Sequence, residues 1–584
     1  MLDFFRKMDY YHMRADNSLV VLRPDGTYTY VFAHRGCEYV MYAAEGSGGD
    51  FGLTLRPGRY RVWWISTTSG EIIAEEDEFN IDAEQVREFH SPGYKDDIIL
   101  HIKNITDYEP STDASVRDIM VGGRTVPGFD ACKLSYNMKL PYGTASLPKT
   151  EAMKMAAGSR VSITAAESLP GTSVIKVTSE DDSASKIYTI NFSVEEEVKW
   201  PLKAERNSKY LTDCAVNPVF LFADTASTLS LIDDMSEIEY YLQDRKNRGF
   251  NSIICNYSIK RQENIGRIIG MAKARNLQVM LNISLSTADE YAITADNARE
   301  CGKSLACKYK DADNIIWVID GNNIRAAEGN SIINEFAEGI RECDRIHLLS
   351  FIPENDASSS QYFHNCEWLD FNVINSYSPE FTDTYKLIMD DRDRNPAKPV
   401  IDLKPKHELY QKSRYEMMVS QYMVRADAVC SILSGACGMV YGNINIAKIG
   451  SVSNWKNYLD LNGMQHLINI KRLFESYSWF KLEPDSNHTF VSSGHESVKD
   501  DYPTVAAFAF DGSFAVVYLP DTRTIALNMG KLRGSILAGW FDPTNGDFTR
   551  INEIPFENRG YKDFLSPAVN YMGQMDFLLV LEAV

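Results

Sequence analysis

The 584-residue sequence contains no run of about eighteen apolar residues, the length a helix needs to cross a bilayer, so no membrane span is predicted. It also lacks positive charge in excess. With 60 Lys and Arg against 80 Asp and Glu the formal net charge is −20. That balance argues against nucleic acid or an anionic membrane as a partner, because both are held by clustered cations. None of the 10 cysteines forms a CxxC pair or joins a Cys/His cluster at metal-ligand spacing. Mostly buried free thiols are expected in place of a zinc site or a disulfide framework, and no metal or other cofactor is implied. The opening residues, Met1-Leu2-Asp3-Phe4-Phe5-Arg6-Lys7, carry acid and base too early for a secretion signal.

What is present is ordinary globular composition, 44% hydrophobic and 24% charged, which leaves no room for a large disordered share. The length exceeds what one core supports, so about three or four domains are expected.

An internal repeat organises the chain. FFRKMDYYHMRAD (4–16) is matched in step by LFESYSWFKLEPD (473–485), and YRVWWISTTSGE (60–71) by ILAGWFDPTNGD (536–547). Each second match reads as a strand with an aromatic, a polar turn ending in Gly, then an acid. Two related β-sandwich domains, 15–110 and 483–584, are therefore expected. The pairing of Trp64 with Trp540 marks both as core residues and leaves Trp63 open between core and sugar platform. The downstream copy begins in the last helix of a preceding domain. Residues 1–14 thus read as an orphaned terminal helix, from a longer architecture or from a duplication that lost its first barrel. Residues 111–198 carry short alternating runs with turns at Pro127-Gly128 and Pro170-Gly171, and read as a second kind of β-sandwich, a spacer.

From about 199 to 482 the pattern changes to buried strands alternating with amphipathic helices. Strands are predicted at 219–224, 249–255, 277–283, 314–318, 347–351, 371–374, 398–401 and 438–441, with helices at 238–246, 264–275, 288–308, 330–342 and 414–433. That order predicts a central (β/α)8 TIM barrel flanked by all-β sandwich domains, with an open doubly wound sheet as the alternative.

Six separated stretches carry a resemblance. They are VFLFADTAS (219–227), YYLQDRKNRGFNSII (240–254), CKYKDADNIIWVIDGNN (307–323), SSSQYFHNCEWLDFNVINSY (358–377), KPVIDLKPKHE (398–408) and VRADAVCSILSGACGMVYGN (424–443). In that order they resemble the apiosidase-like glycoside hydrolases, whose members often carry a C-terminal β domain named for collagen binding. The 111–198 segment resembles cadherin-like or immunoglobulin-like sandwiches. The resemblance implies a glycan or polysaccharide partner and an exported, cell-surface or periplasmic bacterial protein.

Retaining glycosidases of this kind need two carboxylates about 5 Å apart at the C-terminal ends of the strands. The resembled family ends strand 4 in Trp-x-x-Gly-Gly-Asp and strand 7 in Glu before Pro. Here the first reads Trp317-Val318-Ile319-Asp320-Gly321-Asn322, and the second places Lys404 before Pro405. An amide supplies no acidic proton and a lysine is no carboxylate nucleophile, so both family positions are vacated. The resemblance further implies sugar contacts from Asp224, Asn322, Asn375, Tyr377 and Tyr441. Two expectations follow: a carbohydrate-active protein with lost or altered catalysis, or a working glycosidase whose carboxylate pair has moved to Asp320 and Asp402. Each of those lies two residues before its vacated position and so shares its face, with Glu408 a third candidate. A structural surface protein whose barrel is a spacer is a further alternative.

Overall fold

The computed structural model describes residue 8 and residues 12–106, 111–126, 129–140, 144, 146–156, 158–180, 182–194, 197–285, 293–321, 326–411, 417–496, 502–552 and 554–584. Contacts divide the chain into two compact units. The first is Met1–Arg117 with Ala152–Ser162 and Ile175–Ile187; the second is Asp118–Glu151 with Ile163–Val174 and Tyr188–Val584. Among the described residues no helix is long and apolar enough to cross a membrane. The orphan helix expected at 1–14 falls mostly outside the described residues.

In the first unit a six-stranded sheet runs in the order Arg14–Ala15, Tyr28–His34, Glu38–Gly46, Asp96–Asn104, Gly58–Ser66, Ile72–Ile81. A three-stranded sheet, Val20–Leu22, Asp50–Leu55 and Gln85–His90, faces it. The sequence dictates this by alternation: along Tyr28–His34 the residues Thr29, Val31 and Ala33 are buried, while Tyr28 and Tyr30 lie exposed. Trp64, Phe51, Leu53 and Leu100 fill the space between the sheets.

The second unit ends in a sandwich of the same design. Its larger sheet runs Leu482–Pro484, Val505–Ala509, Phe514–Leu519, Phe577–Ala583, Ser535–Phe541, Phe548–Arg550. Its smaller one runs Val491–Ser493, Thr524–Asn528, Tyr561–Leu565. Strand for strand in chain order, the two sandwiches are connected alike, apart from a short extra strand Phe556–Glu557. The paired turns agree to the hydrogen bond. Ser66 N–H donates to Glu71 O at 2.9 Å and Gly70 N–H to Ser66 O at 2.8 Å; Asp542 N–H donates to Asp547 O at 2.9 Å and Gly546 N–H to Asp542 O at 2.9 Å. Gly70 and Gly546 sit at φ +73° and +84°, the left-handed region a side chain would strain. Trp64 and Trp540 are both buried, and Trp63 is half-buried against His101. Earlier in the second unit, Tyr136 to Leu140 run parallel to Ile190 to Val194.

Between these lies the α/β region. Its strands are β1 (Leu221–Thr225), β2 (Ser252–Asn256), β3 (Gln278–Ser284), β4 (Ile315–Asp320), β5 (Leu349–Ile352), β6 (Asn372–Asn375), β7 (Val400–Lys404) and β8 (Gly438–Tyr441). The helices that matter for the site are α1 (Met235–Asn247), α2 (Gln262–Lys273), α3 (Ala298–Tyr309), α4 (Ala326–Cys343), α5 (Thr384–Arg392), α6 (Gln421–Leu433) and α7 (Asn462–Glu475). A six-stranded parallel sheet has the order β5-β4-β3-β2-β1-β8, and β6 and β7 form a parallel pair. Cys437 N–H donates to Val400 O at 2.9 Å and Asp370 N–H to Leu349 O at 3.0 Å, beside the two places where the ladders stop.

Each strand is apolar on both faces, as parallel strands covered by helices must be. Leu221, Ala223, Ile254, Met280, Ile316, Val318, Ile401, Leu403 and Val440 form one cluster on the inner face. Their neighbours point outward: Ile253, Leu281, Trp317 and Ile319 into one helix-side cluster, Phe222 and Tyr441 into another.

One expectation is overturned. Cys307 on α3 and Cys343 at the end of α4 form a disulfide, with Cα atoms 5.4 Å apart, within the range such a bridge needs. The two helices lie side by side, which places cysteines 36 residues apart in sequence within bonding reach. Of the eight remaining thiols Cys37, Cys132 and Cys214 are exposed.

Candidate functional site

The site is built from polar residues that end the apolar strands. On β2 and β3 the chain turns polar at Asn256 and Asn282, which are register partners; Asn282 Nδ2–H donates to Asn256 Oδ1 at 2.9 Å. On β4 the inner-face alternation Ile316, Val318 continues to Asp320, so this carboxylate stands on the inner side at the strand end. Asn282 Nδ2–H also donates to Asp320 Oδ2 at 3.3 Å. From β7 the Lys404 ammonium lies 3.6 Å from the same oxygen. The Asp320 side chain is 12% exposed and that of Lys404 is 27% exposed. Polar residues from β2, β3, β4 and β7 thus meet in one row, with a carboxylate and an ammonium at its end.

Beyond β7, His407 is buried, and among the described residues neither of its ring nitrogens has a hydrogen-bond partner. Burial pushes its pKa down to about 3, and the Lys404 and Lys448 ammoniums act in the same direction. The imidazole is therefore neutral at physiological pH, with one N–H and one lone pair to offer. Tyr377 meets it edge-on with ring centroids 4.9 Å apart, and stands equally close to Tyr410. Burial pushes the Tyr377 hydroxyl up to about 12.

The structure does not bring Asp320 and Asp402 together. Ile401 and Leu403 belong to the inner cluster, so Asp402 between them faces the helix layer. There Ser376 Oγ–H donates to its Oδ2 at 2.5 Å, and Lys406 and Asp427 of α6 are near neighbours. Burial pushes the Asp402 carboxyl up to about 7, against the hydrogen bond from Ser376 and aided by the Asp427 charge. Glu408 is also buried on the helix side. It accepts from Tyr441 Oη–H at 2.6 Å and from Gly463 N–H at 3.2 Å, and burial holds its pKa above the usual carboxylate range. No room exists for a side chain at 463, where a Cβ would lie 2.4 Å from Glu408 Oε2.

The expected sugar contacts divide. Tyr441 is tied to Glu408, and Asp224 is fully buried, accepting from Tyr241 Oη–H at 2.7 Å with the Arg245 guanidinium at 3.3 Å. Both belong to the layer between strands and helices. Asn375 is buried and donates to Pro353 O at 2.8 Å. Asn375, which ends β6 as the register partner of Lys404, and Tyr377 stand among the strand-end residues. Asn322 lies outside the described residues. Sequence reasoning passed over Asn256, Asn282 and His407. For the two asparagines a signal existed, since each interrupts an apolar strand run at the same register. Among the described residues no group of three His, Cys, Asp or Glu is placed to hold a metal ion.

Two parts of the chain match known families. Residues 205–267 and 259–481 match the family described as "Apiosidase-like, catalytic domain", and residues 494–582 match "Putative collagen-binding domain of a collagenase". A solved glycoside hydrolase superposes with a TM-score of 0.59 at 24% identity, covering 65% of this chain and 96% of that one. A glycoside hydrolase family 5 structure from Bacteroides vulgatus gives a TM-score of 0.59 at 22% identity, covering 65% of this chain and 93% of the other. These show a glycoside hydrolase fold. Among curated proteins, an exo-beta-1,6-galactobiohydrolase of Bifidobacterium longum is 36% identical over 89 residues, and a gellan lyase of a Bacillus species 35% identical over 85. Those matches cover 15% and 14% of this chain and only 6% and 3% of the relatives.

Proposed function

From a chain whose residues 205–481 carry the apiosidase-like catalytic domain, we propose a glycan-binding protein of glycoside hydrolase type in which catalysis is lost or strongly altered. The observation that carries this reading is the Asp320–Lys404 contact. A retaining mechanism needs one carboxyl to protonate the leaving oxygen and a second carboxylate to attack the anomeric carbon. Here the inner carboxylate faces an ammonium, which cannot attack the anomeric carbon as a carboxylate does. The Asp320/Asp402 couple is set aside because Asp402 lies against the helix layer. What remains suits holding hydroxyl-rich ligands: two asparagines, a neutral histidine, a tyrosine edge and one ion pair.

We read the eight strands as a closed (β/α)8 barrel, supported by the Cys437–Val400 and Asp370–Leu349 hydrogen bonds. Domain limits near 110, 198 and 482 follow the changes of strand pattern, with 111–198 a spacer sandwich. An exported location is supported by the Cys307–Cys343 bridge, since disulfides persist in oxidising compartments.

The test pairs binding with turnover. Affinity electrophoresis in gels containing galactan, arabinogalactan or gellan should retard the protein, while prolonged incubation with the same polysaccharides releases no reducing sugar. Release of sugar that disappears in Asp320→Asn would restore the enzyme reading; absence of any retardation would remove the binding one.

A further inference from the structure

The two sandwiches share a strand order and a register, so their sheet faces can be compared residue by residue. In the C-terminal copy one cross-strand row is Val505, Tyr518, Leu578, Phe541; its N-terminal equivalent is Tyr30, Tyr42, Ile99, Ile65. The next row is Ala507, Val516, Val580, Gly539 against Phe32, Val40, His101, Trp63. In the C-terminal copy this face is covered by α6 and α7, and its residues share one apolar cluster with those helices. Ala507 keeps this face low beneath the helices, and at Gly539 a Cβ would lie 2.3 Å from the Phe548 ring that packs there.

The N-terminal copy is built differently at the same positions. Ala507 and Gly539 are replaced by Phe32 and Trp63; Met8 and Met13 pack with Val40 against Phe32 and Ile99, and Trp63 lies against His101. Val505, nearly fully buried, is replaced by Tyr30, which is 57% exposed, and Tyr28 beside it is 53% exposed. Tyr30 and Tyr42 have ring centroids 6.3 Å apart. The acidic anchor is kept. Asp576, which in the C-terminal copy receives Arg425 from α6 through two hydrogen bonds of 2.7 and 2.6 Å, corresponds to Asp97. Asp97 is half-buried and accepts from Tyr42 Oη–H at 2.6 Å and Thr67 Oγ1–H at 2.5 Å. These donors hold it below the usual carboxylate range, so it is ionised at neutral pH.

We infer that the Tyr28, Tyr30, Tyr42 and Asp97 face of the N-terminal sandwich is a glycan-binding platform, separate from the strand-end site. The change from the helix-covered Val505 and Tyr518 to Tyr30 and Tyr42, on the strands Tyr28–His34 and Glu38–Gly46, turns a packed surface into an exposed aromatic one. It supplies instead flat rings against which the C–H faces of a pyranose stack, each with a polar tip. Each oxygen of a carboxylate accepts more than one hydrogen bond, so Asp97 can take sugar hydroxyls while keeping Tyr42 and Thr67. Four positions within two strand spacings suit one or two sugar residues, hence weak affinity that a long polysaccharide raises by repeated engagement. The inference shares with the proposed function only the class of ligand.

The test uses the full chain in native gels containing arabinogalactan, xyloglucan or polygalacturonate. Wild type should be retarded by at least one of them, and Tyr30→Ala and Asp97→Asn should each weaken that retardation about tenfold in apparent Kd. Tyr30 is exposed enough that its loss leaves the fold intact, which thermal melting checks. Variants retarded like wild type overturn the inference, and so does a wild type that no gel retards. If only Lys404→Ala weakens retardation, the platform falls and the strand-end reading stands; if only Tyr30→Ala and Asp97→Asn do, the platform stands and the strand-end reading falls. Self-association lost in Tyr30→Ala, seen by sedimentation equilibrium without retardation, would give that face to protein and overturn the inference.

Discussion

Asp320 and Lys404 approach to 3.6 Å across the strand ends, on the inner side where β4 and β7 finish. Both are partly exposed, so water screens the pair and its contribution to stability is at most about 1 kcal/mol. Under the proposed function its value lies in recognition. Lys404→Ala should leave the urea midpoint nearly unchanged yet weaken polysaccharide retardation about tenfold, the cost of one lost charged hydrogen bond to ligand. An unchanged retardation would mean that Lys404 touches no ligand.

Asp402 gives a prediction in pH. Its folded pKa of about 7 lies above the ordinary value of 3.8. Between those two values the folded chain keeps a proton that the unfolded chain has released. Stability is therefore fullest below the lower value, falls as pH rises toward the upper one, and is flat beyond it. Asp402→Asn removes the titration while still accepting from Ser376. Urea melts at pH 5, 6, 7 and 8 should show the variant gaining on the parent by a few kcal/mol up to about pH 7, then holding level. A constant gap from pH 5 to 8 would place the Asp402 carboxyl outside the low-dielectric layer.

How much of this was legible follows from which faces are buried. The alternating strands of the sandwiches show one wet and one dry face, so the Trp64/Trp540 equivalence and the matching turns could be read directly. In β4 and β7 both faces are dry. IIWVID and VIDLK give the parity of residues relative to each other but not which parity points inward. That is why Asp320 and Asp402 looked equivalent, and why strand parity gave no check on the sugar contacts that the resemblance implied for Asp224 and Tyr441. Lys404 shares its parity with Asp402, yet it ends its strand beside a register shift between Ile374 and Asn375, and its long chain reaches inward. Local pattern carries no record of that shift.

The Cys307–Cys343 bridge escaped the sequence for a different reason: its partners sit on neighbouring helices at a spacing no short motif encodes. Thiol titration in denaturant should count eight groups without reductant, and all 10 cysteines after reduction. Closing a loop of 36 residues restricts the unfolded chain, and Cys307→Ser with Cys343→Ser should lower stability by about 3–4 kcal/mol. Ten groups without reductant would remove the bridge, and with it the structural support for an exported location.

Arg425 and Asp576 join α6 to the last strand's approach with both side chains wholly buried. The guanidinium also donates to Gln574 Oε1 at 2.5 Å and lies 3.1 Å from His466 Nδ1, and Tyr518 Oη–H donates to Asp576 at 3.3 Å. Removing either partner strands the other charge in an apolar seam, whereas removing both leaves polar groups with lesser needs. Arg425→Met and Asp576→Ala should therefore each cost about 3–5 kcal/mol, and the double variant much less than their sum. A double-mutant cycle by urea denaturation reads the difference as the coupling. The stability lost should appear first as separate unfolding of the C-terminal sandwich, seen as a second transition in calorimetry. Additive single losses with one unbroken transition would mean that the apolar contacts around Phe514 and Tyr518, and not this ion pair, hold the sandwich to α6 and α7.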